Sequence, residues 1–165
     1  MWPFSRKTDE SSRTLKPDSW SLAQGERDGF PMIVRMANAY RDLAPIPGYD
    51  HHLIISVHLR NPRPNGFPSS EEGDDLTALE LSICRLLEAD NDSLCVLVVT
   101  NNGLRDFIFY TRNVESATQR TEDFLATGTG FVVEFLIKCD EGWEIYQHFS
   151  RWLKSPIPSQ TTISA

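Results

Sequence analysis

The chain has 165 residues, of which 40% are hydrophobic, 24% charged and 10% aromatic. Its 16 Lys and Arg against 23 Asp and Glu leave a net charge of −7, which excludes a whole-protein basic footprint for DNA or RNA. Nine Phe, four Trp and four Tyr can fill a real core, and three Cys are too few, and odd in number, for a disulfide framework.

The N-terminus, Met1-Trp2-Pro3-Phe4-Ser5-Arg6-Lys7, sets its apolar residues ahead of its basic ones and breaks them with Pro3. A secretory leader has the opposite order. No run approaches the roughly 18 apolar residues of a membrane helix. The expectation is a cytoplasmic protein with no membrane and no nucleic-acid partner. Residues 1–17 read as a disordered arm and residues 155–165 as a disordered tail, leaving one α+β domain over residues 18–154.

Ser19–Gln24 and Phe30–Ala37 read as strands joined by the turn Gly25-Glu26-Arg27-Asp28-Gly29. In the second, Phe30, Met32, Val34 and Met36 share a face, with Ile33 and Arg35 on the other. Ala39–Leu43 forms a short helical turn stopped by Pro45 and Pro47. His52–Arg60 alternates, with Leu53, Ile55, Val57 and Leu59 against Ile54, Ser56, His58 and Arg60. Ile54 on the second face implies a strand partly covered on both sides.

Asn61–Ser69 is a loop. Ser69 with Glu72 three residues on makes a capping box, and Glu71, Glu72, Asp74 and Asp75 suit the positive end of a helix. Leu76, Leu79, Ile83, Leu86 and Leu87 continue it at helical spacing as far as Asp90–Asp92. Leu94–Thr100 and Leu104–Arg112 flank Asn101-Asn102-Gly103, a hairpin signal because the central positions need positive φ. Asn113 caps a helix over Val114–Ala126, ended by Gly128 and Gly130. Phe131–Cys139 is a strand, and Asp140-Glu141-Gly142 leads into a last helix, Trp143–Leu153.

From His52 onward the order is strand, helix, strand, strand, helix, strand. That is the split β-α-β, or ferredoxin-like, order. The expected fold is α+β: a ferredoxin-like antiparallel sheet with an added N-terminal hairpin and a C-terminal helix. In that wiring Leu53–Leu59 is an inner strand beside Leu104–Arg112.

Catalytic motifs are missing. There is no phosphate loop, no Gly-x-Gly-x-x-Gly, no Gly-x-Ser-x-Gly and no Cys-x-x-Cys. His51 and His52 are adjacent on a strand, so they point to opposite faces and cannot share a metal. No metal and no cofactor is expected. Cys84, Cys95 and Cys139 read as buried free thiols. Phe107, Phe109, Tyr110, Phe131 and Phe135 read as core rather than as a base-stacking surface, since Arg105 and Arg112 are the only basic residues near them. The run Glu71, Glu72, Asp74, Asp75 reads first as exposed helix-dipole compensation, and second as charge that steers a protein partner.

Several of these residues recur as an ordered set: Trp20; Gly29-Phe30-Pro31 leading to Arg35; Asn65-Gly66-Phe67-Pro68; Leu79-Glu80; Asn102-Gly103-Leu104-Arg105-Asp106-Phe107-Ile108-Phe109-Tyr110; and Asp140-x-x-Trp143-x-x-Tyr146. The set resembles the bacterial domain-of-unknown-function family 695 (DUF695) from about Trp20 to Leu153. Members of that family sometimes adjoin a domain similar to the ribonuclease E inhibitor B family, which acts by binding a protein. The resemblance implies an interaction module and assigns no catalytic residues.

Asp140 is placed to cap the last helix, which sets Trp143 and Tyr146 one turn apart. Arg35, Arg105, Tyr110, Asp140, Trp143 and Tyr146 are therefore candidates for one polar-aromatic binding site. The expected function is a non-catalytic, regulator-like or immunity-like protein-binding module. The alternative is a small enzyme built on Arg105, Tyr110 and Asp140 with His58.

Overall fold

The computed structural model describes residues 19–154. The segments read as an arm and a tail lie outside the described residues. In chain order the elements are β1 (Trp20–Arg27), β2 (Phe30–Ala37), β3 (His51–His58), α1 (Ser70–Leu87), β4 (Ser93–Asn101), β5 (Leu104–Thr111), α2 (Val114–Ala126), β6 (Val132–Cys139) and α3 (Glu144–Lys154). All six strands form one antiparallel sheet in the order β1-β2-β4-β5-β3-β6. The leading hairpin extends the sheet beyond β4 instead of covering a face. β3 runs inside the sheet, with Leu53 opposite Phe109 on one side and Ile137 on the other.

Two tight turns are carried by residues that tolerate the left-handed region. Asp28 and Gly29 have φ of 54° and 79°, Asn102 and Gly103 of 46° and 78°, the signs a two-residue hairpin needs. The second turn is also stitched to the 61–68 loop. Gly103 N–H donates to Gly66 O at 2.9 Å, and Leu59 N–H donates to Gly103 O. A Cβ on Gly66 would stand 2.7 Å from the Asn102 Cα, so backbone meets backbone here and only glycine fits.

Period-two alternation then sorts side chains to two faces. One face carries Leu53, Ile55, Val57, Val98, Phe107 and Phe109 and is roofed by α1 and α2 through Leu76, Leu79, Ile83, Leu87 and Ala117. The opposite face carries Met32, Val34, Met36, Leu97, Val99, Ile108 and Tyr110 and is roofed by α3 through Trp143, Tyr146 and Phe149. β4 is buried on both faces from Ser93 to Thr100, which is why it reads as a continuous apolar run. α3 crosses as far as β1, where a Cβ on Gly25 would collide with the Trp152 ring at 2.4 Å.

Four boundaries and the burial of one cysteine depart from the sequence reading: β1 runs Trp20–Arg27, not Ser19–Gln24, so the turn after it is only Asp28-Gly29. The turn after β2 is a 3-10 turn over Asn38–Tyr40, not Ala39–Leu43. α1 stops at Leu87, because Asp90 and Asn91 adopt φ of 60° and 55° inside the following 3-10 turn. Trp143 precedes α3 and does not open it, and it too has a positive φ, 54°. Among the cysteines Cys95 is buried and Cys84 half-buried, but Cys139, at the end of an outer strand, is exposed.

Candidate functional site

The six candidates for one polar-aromatic site separate into two clusters on opposite faces of the sheet. Arg105 and Tyr110 are five residues apart on β5, an odd spacing, so their side chains leave the sheet in opposite directions. Arg35 goes with Arg105; Asp140, Trp143 and Tyr146 go with Tyr110.

The Tyr110 cluster is buried and centred on Asp140. Tyr110 OH donates to Asp140 Oδ2 at 2.6 Å, and the Glu144 N–H donates to Asp140 Oδ1 at 2.8 Å. Asp140 thus caps α3, as expected, and also ties it to β5. Trp143 stacks on Tyr110, with ring centroids 4.0 Å apart, and its Nε1–H donates to Tyr49 O at 2.8 Å. Those contacts hold a bulky residue in the left-handed region, a conformation that costs about 1–3 kcal/mol. Tyr146 OH donates to Ala37 O at 2.9 Å.

Burial raises the carboxyl pKa of Asp140, but the hydrogen bonds from Tyr110 and from the Glu144 and Ile145 N–H groups, with His52 nearby, outweigh it and hold the pKa below the ordinary carboxylate value. Burial pushes the Tyr110 hydroxyl well up, and the bond to Asp140 adds to the shift; Tyr146 is raised to about 12 by burial. These phenols stay protonated and donate. His52 Nδ1 lies 3.4 Å from Asp140 Oδ2 but off the line of a hydrogen bond, and is buried with no other partner. An open cleft of about 390 Å³ runs beside this end, lined by His52, Lys138, Cys139, Asp140, Glu141, Gly142, Glu144 and Ile145.

The second cluster lies on the α1 face. Arg35 Nη2 donates to Glu80 Oε1 at 2.5 Å, and its guanidinium sits over the Trp20 ring, 5.4 Å from the centroid. Arg105 Nε–H donates to Thr100 Oγ1 at 2.9 Å. Burial lowers the Arg105 pKa; Glu80 opposes the change and Arg35 adds to it. Of the two guanidiniums, Arg35 is bonded to the Glu80 carboxylate and Arg105 to the Thr100 hydroxyl. The neighbouring β1 presents Leu22, 64% exposed, and half-buried Trp20 to the same face. Together these residues make a positively charged ledge with an apolar lip.

The acidic run is not uniformly exposed. Glu72 is only 4% exposed. Its carboxylate accepts the Arg60 N–H at 2.5 Å and the Asn61 N–H at 3.4 Å, so it anchors the loop after β3. Asp75 is bonded to Arg60. Glu71 and Asp74 remain open to solvent. His58, named in the enzyme reading, lies six residues along β3 from His52 and pairs with Glu134 at 3.3 Å.

Sequence reading missed Glu80, Thr100, Asp106 and His52 as members of polar groups. Asp106 accepts from Ser56 Oγ at 2.6 Å on the α3 face, and burial raises its pKa. Parity along β5 separates Asp106 from Arg105. The pairing of Arg35 with Glu80 spans 45 residues and has no local signal. Among the described residues no three His, Cys, Asp or Glu side chains gather as metal ligands. No helix among them is long and apolar enough to cross a membrane.

Residues 18–150 match DUF695, a family of unknown function. The chain belongs to this family. No curated protein and no solved structure matches it. The DUF695 motif residues divide between the clusters just described. Trp20, Arg35, Glu80 and Arg105 build the ledge, while Tyr110, Asp140, Trp143 and Tyr146 build the buried hub. Gly66 and the Asn102-Gly103 turn form the junction of the 61–68 loop with β5.

Proposed function

We propose that this DUF695 chain is a non-catalytic, cytoplasmic protein-binding module, regulator-like or immunity-like, that receives an acidic segment of its partner on the ledge of Trp20, Leu22, Arg35 and Arg105. The observation that carries this reading is the imbalance of charge there: of two partly buried guanidiniums, Arg35 is bonded to the Glu80 carboxylate while Arg105 is bonded to the uncharged Thr100 hydroxyl, in a chain whose net charge is −7. Buried charges are normally paired, and a planar guanidinium suits an incoming carboxylate. Exposed Glu71 and Asp74 steer a basic region elsewhere on that partner, and act on association rate rather than on affinity. The fold reading that accompanies this is a ferredoxin-like split β-α-β core; the strand order β4-β5-β3-β6 with α1 and α2 on one face supports it.

The enzyme reading needs Arg105, Tyr110, Asp140 and His58 in one pocket. Arg105 leaves the sheet on the face opposite Tyr110, and Asp140 is engaged as a helix cap, which counts against it. The test is affinity capture from the native cell with wild type, Leu22→Asp and Arg105→Gln chains, each checked for an unchanged thermal midpoint. Retention of a protein by wild type and its loss in both variants is the expected outcome. Equal retention by all three, or none by wild type, removes the ledge as the binding surface.

A further inference from the structure

The two outer strands of the sheet are finished differently. β1 carries Gly25 in its second half, with Trp152 against it, and ends in Glu26 and Arg27. β6 is an uninterrupted eight-residue strand, in unbroken register with β3, and it contains no Pro and no Gly. Among the described residues no strand lies beyond it in the sheet. The apolar layer beneath α1 and α2 also stops there unfinished. Leu53, Ile55 and Val57 of β3 are fully buried, whereas Val133, Phe135 and Ile137, their partners on β6, are only half-buried. On the other face Val132 is 67% and Leu136 41% exposed, beside half-buried Ile54. A long, regular, apolar outer strand is a template for another strand.

We propose that β6 pairs antiparallel with β6 of a second copy of the chain, about a two-fold axis at Leu136, to make one continuous twelve-stranded sheet from the two six-stranded ones. The charge pattern selects both the occupant and the register. Residues that face each other across such an axis must lie on the same side of the sheet. With Leu136 opposite Leu136 of the second copy, Glu134 falls opposite Lys138 and Lys138 opposite Glu134. On the helix side Phe135 falls opposite Ile137, which completes the half-buried layer. A slip of the axis by one residue sets Glu134 or Lys138 against Leu136. A slip by two sets like charges against each other, which is destabilising. Among the described residues Glu134 forms its ion pair with His58, at 3.3 Å, and its side chain is 74% exposed, so its carboxylate is accessible to the second copy.

The full chain should sediment as a concentration-dependent dimer. Leu136→Asp, which brings two carboxylates together on the axis, and Glu134→Lys, which sets ammonium groups opposite each other twice, should each weaken the dimer on the order of tenfold or more. The double exchange Glu134→Lys with Lys138→Glu restores both ion pairs and should restore dimerisation. All three changes are at exposed positions, and circular dichroism checks that each variant is folded. A chain that stays monomeric throughout overturns the proposal. So does a dimer indifferent to Leu136→Asp and Glu134→Lys, or one that the double exchange fails to rescue.

Discussion

The two faces of the sheet bury similar numbers of side chains by different chemistry. Under α1 and α2 the core is aliphatic with Phe107 and Phe109, and the helices are held by the burial of Leu76, Leu79, Ile83 and Leu87. Under α3 the sheet again supplies aliphatic side chains, but they are joined by Tyr40, Tyr49, Tyr110, Trp143 and Tyr146, laced by hydrogen bonds to Asn91 O, Asp140, Tyr49 O and Ala37 O. The difference follows from helix length and position. α1 has 18 residues and lays an apolar stripe along the sheet. α3 has 11 and crosses from the Asp140 end to β1, so directional bonds and large rings replace stripe length. A layer of the first kind resists single losses by relaxing around them. A layer of the second kind fails when one shared group is removed, because each loss leaves a buried polar partner unsatisfied.

Trp143→Ala is the severest way to break that contrast. It removes the stack on Tyr110, leaves Tyr49 O without its donor, and opens a cavity. The expected loss is about 3–5 kcal/mol, read from the chemical denaturation midpoint with near-ultraviolet circular dichroism reporting the aromatic layer. A loss below about 1 kcal/mol would mean that α3 is an accessory lid rather than half of the core.

Asp140→Asn sharpens the contrast through pH. The carboxylate is the acceptor for Tyr110 and for the first turn of α3, so its replacement should cost about 1.5–3 kcal/mol at neutral pH, the range for hydrogen bonds to charged groups. Its pKa in the folded chain is depressed. The stability it supplies is therefore fully present above the unfolded-state value, about 3.9, and is lost as pH falls through the lower folded value. The stability gap between wild type and Asp140→Asn should be flat from neutral pH down to about 5 and should narrow below about 4. Ile83→Val, on the aliphatic side, should cost about 0.5–1.5 kcal/mol with no such pH dependence. A gap that stays constant through the acid range would show that the carboxylate charge does not contribute to the network.

Much of this architecture was legible in the residues, and the misses have specific causes. The strands, the Asn102-Gly103 turn, the Ser69 and Asn113 caps and the Asp140 cap all rest on local signals: alternation, φ preference and side-chain acceptors at fixed offsets. The grouping of Arg105 with Tyr110 failed although its correction was also local, since an odd spacing on one strand sends two side chains to opposite faces. Glu72 was read as an exposed dipole charge because its partners, the Arg60 and Asn61 N–H groups, come from a loop 11 and 12 residues upstream. The Arg35–Glu80 pair likewise depends on β2 lying beside β4 under α1, a product of the sheet order and not of any local pattern. Cys139 was read as buried because its strand is apolar; that β6 is an outer strand is again a property of the sheet order.

The smallest effect tests the aliphatic side at the cap of α1. Ser69 has extended backbone angles, φ −65° and ψ 167°, and its Oγ accepts the Glu72 N–H at 3.2 Å. The reciprocal half of a capping box is absent, because the Glu72 carboxylate is turned to Arg60 and Asn61 instead of back to Ser69. Ser69→Ala then removes one acceptor from a helix end that keeps its other anchor. The expected cost is near the low end of the usual range of about 0.5–2 kcal/mol. It should appear in the denaturation midpoint with the slope unchanged, because the surface exposed on unfolding is the same. Glu72→Gln separates the two contributions. It keeps the backbone N–H that Ser69 accepts but weakens the acceptor for the 60–61 loop, so it should cost more than Ser69→Ala. The opposite ranking would place the hold on α1 at its cap rather than in the loop it clamps.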